Sequence, residues 1–260
     1  MIDLQDNYSL HATNDYFQLA VCSAIGSRKE QQDRVGYELT QYEGVVAVCD
    51  GMGGHNGGQK ASQLALEQFL RKWKRRNKAD KPQEFLFNTV IELDKLVADL
   101  KSPDGTVMQA GTTFSAILLQ GNQLHWVSVG DSRIYIYRSP EFVRVTTDHT
   151  YESLQKAGQL PANLPPVQNP GPMLVSFLGV GALPKIERNL DPFVLLPGDV
   201  VLLASDGLYK LMKESAIAKT LQENPQPCEA AQKLLFVSQH KAEKEQLPVD
   251  NISVAIIKIK

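Results

Sequence analysis

The stretch Val45-Val-Ala-Val-Cys-Asp50-Gly-Met-Gly-Gly54 runs as a buried strand, stops on an acid and gives way to a glycine-rich turn. Beyond the turn, Ala61, Leu64, Ala65, Phe69 and Trp73 recur at helical spacing on one face. Strand, carboxylate, turn and helix form the unit from which the rest of the chain can be read. Asp131 repeats its first half after the apolar run 126–129, and Asp206 does so after 200–204, in Val-Gly-Asp131-Ser132 and Ala-Ser-Asp206-Gly207. Asp250 inverts the order and precedes the run 252–257. If the last strand runs antiparallel to its neighbours, all four carboxylates meet at one sheet end.

Carboxylates gathered in a poorly solvated pocket repel one another, so protons or cations must hold them together. Oxygen-only ligands point to Mg or Mn, not to zinc. The competing reading is that Asp-Gly is a common turn dipeptide, and Asp104-Gly105, between Ser102-Pro103 and Thr106, is read as only that. Four acids at the edges of apolar strands favour the metal reading.

Strands are predicted over 17–25, 35–40, 45–49, 113–119, 123–129, 133–138, 200–204 and 252–259, with turn residues between most of them. Gly121-Asn122 is a two-residue hairpin signal. Helical periodicity covers 61–73 and 86–100, the second entered through Pro82, and further helices are predicted over 151–157, 213–222 and 228–240. Helices grouped among antiparallel hairpins predict an α+β fold in place of a doubly wound one.

The 260 residues suffice for a substantial core, nothing marks a linker, and a net charge of −2 creates no global field for nucleic acid or membrane. Cys22, Cys49 and Cys228 lack paired spacing, and a reducing, cytoplasmic setting fits them best. Residues 1–16 show no basic stretch leading into an apolar one, and no apolar run reaches membrane-spanning length. A soluble monomer with neither nucleic-acid nor membrane partners is the expectation.

The ordered blocks resemble the metal-dependent serine/threonine protein phosphatases of the PPM, or type 2C, family, especially its bacterial members. These blocks are Arg28-Lys-Glu-Gln-Gln-Asp33, Asp50-Gly-Met-Gly-Gly-His55 with Gly58 and Ala61-Ser62, Gly111-Thr-Thr113, Gly130-Asp-Ser-Arg133, Ser205-Asp-Gly-Leu208 and Asp250-Asn-Ile252. The resemblance spans nearly the whole chain, so residues 1–260 are expected to form one catalytic domain. It implies a four-layer α/β/β/α sandwich, two antiparallel sheets flanked by helices, with the metal site at one end.

By the same resemblance, Asp50 bridges two divalent ions (Mn or Mg), the Gly51 carbonyl helps bind one, and Asp206 and Asp250 complete the other. Asp131 matches a ligand of a third, weaker metal. Arg28 matches the phosphate-binding arginine, whose fork grips two oxygens at once. Asp33 matches an acid that hydrogen-bonds metal-held water. Paired cations acidify water near neutral pH and offset charge on the phosphoryl group, so no covalent phosphoenzyme is expected.

Two positions depart from the family pattern. Gln32 stands where many relatives carry Glu, a stronger ligand for a hard cation. Met52 stands where animal members carry a histidine; His55, three residues on, either protonates the leaving oxygen or only orients the glycine turn. The glycines lack the spacing of a nucleotide-binding loop.

The proline-rich segment at about 148–180 is read as a flap beside the active site, and His149 as a residue that helps begin a helix. Arg71-Lys-Trp-Lys-Arg-Arg76, with Lys78 and Lys81, ends the first helix, where cations complement its dipole; docking of an acidic partner is the rival reading. The function expected is hydrolysis of phosphoserine and phosphothreonine in phosphorylated proteins, opposing a bacterial Ser/Thr kinase. The alternatives are a phosphatase of small phosphoesters and a non-catalytic phosphoprotein-binding module of the same fold. A metallonuclease would want a basic groove that the sequence does not offer.

Overall fold

The computed structural model describes residues 7–54, 56–162, 164 and 167–260. One sheet holds, in spatial order, β1 (Tyr8–Thr13), β2 (Phe17–Ala24), β13 (Ile252–Ile259), β12 (Val200–Ala204), β8 (Arg133–Arg138) and β9 (Glu141–Arg144). The other orders β10 (Glu187–Arg188), β7 (Gln123–Val129), β6 (Phe114–Gln120), β4 (Glu43–Met52) and β3 (Asp33–Leu39). Two short strands extend it: β11 (Phe193–Val194) pairs with β7, and β5 (Gly111–Thr112) with β4. The last strand, β13, is antiparallel to both β2 and β12, as the meeting of the four acids requires.

The apolar strand runs are continuous because each sheet is covered on both faces. Phe17, Leu19 and Val21 of β2, Val201 and Leu203 of β12, and Val46 and Val48 of β4 fill the layer between the sheets. The alternate residues point outward, since successive side chains of a strand take opposite faces. Val45, Ala47 and Cys49 pack beneath α1 (Gly57–Arg75) and α2 (Pro82–Ala98), against Ala61, Phe69, Trp73, Leu86 and Val90. Ala20, Cys22, Leu202 and Val254 pack on the other side, against Leu208, Ile217, Ala231 and Leu234. Those last four come from α4 (Asp206–Tyr209), α5 (Glu214–Glu223) and α6 (Pro227–Glu245). The result is the α/β/β/α sandwich the motifs imply.

Four local readings sharpen. Tyr8-Ser-Leu-His-Ala-Thr13 is strand β1, not merely a polar leader: it alternates in burial because, at the sheet edge, only one face is covered. The remaining helix, α3 (Tyr151–Lys156), is started by Thr150, whose hydroxyl accepts the Ser153 N–H at 3.3 Å, and not by His149. The basic end of α1 is tied into the fold: Lys74 pairs with Glu38 and Arg76 with Glu43, each at 2.5 Å, while Lys72 pairs with Glu92 of α2. Those pairs support the structural reading of the basic run over docking. Ser102 to Thr106 is a turn, with Gly105 at φ 86° and the Asp104 carboxylate accepting the Thr106 N–H at 3.0 Å.

Candidate active site

Asp50 lies near the end of β4, directly across from Asp33 on β3. Its backbone is fixed from the other side, because its N–H donates to Thr113 Oγ1 at 2.9 Å and its carbonyl accepts the Thr112 hydroxyl at 3.0 Å. Gly51 follows, and here glycine is a steric demand: a Cβ would come within 2.1 Å of the Gly58 carbonyl oxygen and 2.6 Å of that of Gln32. Gly58 in turn presses on Gly51 and Met52, so the first turn of α1 sits backbone-to-backbone on the strand end. His55 lies outside the described residues.

Asp206 leaves β12 at the start of α4 and is paired with Lys210, one turn on. Asp250 precedes β13; it accepts the Arg28 guanidinium at 2.7 Å and the Asn251 N–H at 2.8 Å. The Arg28 side chain is 60% exposed and stands at the rim. Asn251 anchors the loop that carries it: its Oδ1 accepts the Gln32 N–H at 2.8 Å, and its Nδ2 donates to the carbonyls of Ile25 and Glu30 at 2.8 and 3.1 Å. Gln32 turns its amide to Glu30 at 3.3 Å and to the Gly53 carbonyl at 3.4 Å.

Asp33 is buried and accepts the Ser205 hydroxyl at 2.7 Å. Burial, countered in part by that hydroxyl and raised again by the Asp206 charge, pushes its carboxyl up to about 7. Asp131, in the turn between β7 and β8, is pushed up to about 6, first by burial and then by Asp206, with Lys210 opposing. The Asp50 carboxyl lies well above its ordinary range because it is buried and faces Asp33, Asp206, Asp131 and Asp250. Asp33 joins the four strand-edge aspartates in one electrostatic field, which is strained by like charge.

The open cleft above them has a volume of about 600 Å³, and its lining includes Arg28, Asp50, Gly51, Met52, Asp206 and Asp250. A groove of about 880 Å³ lies elsewhere, between α1 and α2, and shares none of these residues. Among the described residues, no three Asp, Glu, His or Cys side chains converge into a cage for one ion. The donor set still fits hard divalent cations. Asp33, Asp50 and Asp131 are driven toward protonation by burial and neighbouring negative charge, Asp206 and Asp250 already hold cationic side chains, and the donors at hand are oxygen.

Thr113, Ser205 and Asn251 lie inside the motif blocks but carry no role in the sequence reading; with Lys210, absent from those blocks, they support the acids. Lys210 carried a signal, since a basic residue four positions after a helical aspartate falls on the same face. The others bond across strands that are distant in sequence.

Two helix-covered antiparallel sheets with an acidic, cation-seeking cleft at their ends define a metal-binding α/β/β/α sandwich. The pattern of the family Protein phosphatase 2C matches residues 12–155, and the chain belongs to that family. A putative protein phosphatase 2C-type of Streptococcus pyogenes is 26% identical over 249 residues, covering 92% of this chain and 96% of the relative. The Mycobacterium tuberculosis serine/threonine phosphatase PstP superimposes with a TM-score of 0.76 at 27% identity, covering 94% of this chain and 99% of that one. A structure of the PstP catalytic domain in complex with two manganese ions gives 0.74 at 26% identity, covering 94% and 98%.

Proposed function

We propose that this chain is a metal-dependent phosphatase that hydrolyses phosphoserine and phosphothreonine in proteins. The observation that carries the reading is Asp50, a half-buried carboxylate facing four others on the floor of a cleft whose rim holds Arg28. Asp50, the Gly51 carbonyl, Asp206 and Asp250 would hold two Mn or Mg ions, and Asp131 with Asp206 a third. When bound, the cations supply Lewis acidity that makes water a competent nucleophile and offsets phosphoryl charge.

The protein's own groups bind, orient and hold protons. Arg28, tethered at the rim by Asp250, grips the incoming phosphate with a guanidinium that stays charged at every working pH. Asp33, held by Ser205, orients water at the centre of the site. Asn251 keeps the Arg28 loop at a fixed height over the acids. His55 remains a proposed proton donor to the leaving oxygen. The segment at about 148–180 acts as the flap that selects protein substrates.

We read residues 1–260 as one catalytic unit that works as a monomer in the cytoplasm against the products of a Ser/Thr kinase. No helix among the described residues is long and apolar enough to cross a membrane.

The deciding assay is hydrolysis of a phosphothreonine peptide with added Mn or Mg, comparing the natural chain with Asp206→Asn. A rate loss of about a hundredfold or more is expected for removal of a metal ligand. Equal rates would overturn the reading.

A further inference from the structure

We propose that His149 is a positioning residue that fastens the root of the flap segment to the turn carrying Asp131, so that the two open and close as one body. His149 is fully buried and lies outside the lining of the cleft, so it is not placed to touch substrate. It makes bonds in two directions. Toward the turn, its Nδ1 accepts the Gly130 N–H at 3.2 Å and its own N–H donates to the Gly130 carbonyl at 2.9 Å. Toward the flap, its carbonyl accepts the Val175 N–H at 2.8 Å. The next residues continue the seam: Thr150 bridges Leu174, and the Tyr151 N–H donates to the Met173 carbonyl at 2.9 Å.

The chemistry of the ring suits a fastener. An Nδ1 that accepts requires the neutral tautomer with its proton on Nε2. Burial holds the ring in that form, pushing its titration down to about 4.

The turn it grips has little freedom. Gly130 is at φ 107°, and a Cβ there would come within 2.7 Å of the Thr113 side chain. Thr113 Oγ1 shares a 2.7 Å hydrogen bond with Ser132 Oγ and accepts the Asp50 N–H at 2.9 Å. Tyr209, stacked under Arg133, donates to the Asp131 carbonyl at 2.9 Å. Arg133 in turn clamps Asp148, the neighbour of His149, through two bonds of 2.9 and 2.7 Å. A path therefore runs from Asp50 through Thr113 to Ser132, along the chain through Asp131 to Gly130, and on through His149 to Val175. The link is read from geometry; its consequence for catalysis rests on the Asp131 and flap roles proposed above.

The test is amide hydrogen exchange on the full, metal-free chain, which reads the link without reading hydrolysis. His149→Leu removes the acceptor but keeps apolar bulk, whereas His149→Asn puts an amide oxygen where Nδ1 stands. In the leucine variant, peptides over 128–132 and 172–178 should both exchange about tenfold faster, and the asparagine variant should restore both. Acceleration of one segment alone, of neither, or without rescue by asparagine would overturn the proposal. Should the leucine variant not fold, the natural chain decides: Gly130 and Val175 amides must share one opening rate, and a difference beyond about tenfold refutes the link. Loss of hydrolysis in Asp206→Asn or its persistence leaves this readout unchanged, so the two proposals fail separately.

Discussion

Removing the Asp131 charge should stabilise the metal-free protein, and by an amount that pH controls. The folded chain holds this carboxyl at about 6 against an ordinary 3.8, a shift of about 2 pH units caused first by burial and next by Asp206. At about 1.4 kcal/mol per unit, keeping the group ionised at pH 8 costs the folded state about 3 kcal/mol. The sign follows from proton counting. Between 3.8 and about 6 the folded chain binds a proton that the unfolded chain has released, so this group's contribution to stability falls as pH rises through that window. Asp131→Asn carries no such term. Its gain should be about 3 kcal/mol at pH 8 and shrink to about 1 kcal/mol at pH 4.5. For a chain of this size that is a rise in Tm of roughly 6 to 12 °C at pH 8. Calorimetry in the presence of a chelator measures it at both pH values. A gain that is the same at both, or absent at pH 8, would refute the reasoning. Added Mn should then narrow the gap, because a cation bound to the folded state would stabilise the natural chain more than a variant lacking one of its proposed ligands.

Gly51→Ala should unfold or severely destabilise the chain, by several kcal/mol, because the added carbon meets two backbone oxygens that cannot swing aside; an urea midpoint within experimental error of the natural one would contradict this. Arg28→Ala should raise KM for a phosphopeptide about tenfold or more while calorimetric Mn affinity stays equal or tightens, since the lost partner of Asp250 is a competing cation; loss of Mn binding would count against the assignment. His125→Leu should add about 1 to 3 kcal/mol of stability, as both ring nitrogens of this buried residue of β7 lack a partner among the described residues, and chemical denaturation measures it. Burial lowers the titration of that histidine, so in the natural chain its cost should grow as pH falls below 6.5, and the variant's advantage should widen with it.

What the sequence disclosed follows from how far each signal reaches along the chain. Strands β2, β4, β12 and β13 were visible as apolar runs because both sheet faces are covered, and the acids at their ends stood out against those runs. β1 was missed although Tyr8, Leu10 and Ala12 alternate with polar residues as a strand covered on one face should, because those polar residues break the continuous apolar run by which the other strands stand out. β10 and β11 are two residues each and exist only as additions to β7, so no periodicity could announce them. Within the site, the aspartates were legible because each sits at a local discontinuity. Thr113, Ser132, Ser205 and Asn251 were not, since a small polar residue reveals its partner only after distant strands have been brought together.

That hidden layer explains why the acidic cluster can be folded at all. Carboxylates this close would relax by moving apart if their backbones could yield. Asp50 is held by Thr112 and Thr113, Asp33 by Ser205, the Asp131 backbone by Tyr209, and the loop beside Asp250 by Asn251. The ties come from several elements, with Ser205 and Tyr209 both from α4 and its cap, so no single local rearrangement releases all of the repulsion. Arg28 and Lys210 can offset part of it, but both are more than half exposed at the rim and form their ion pairs with Asp250 and Asp206. The charge deficit at Asp50 and Asp33 therefore remains inside the cleft, where compact divalent cations answer it better than any side chain present. The same rigidity that makes the site costly without metal is what would keep its ligands preorganised for the ions and for the phosphate between them.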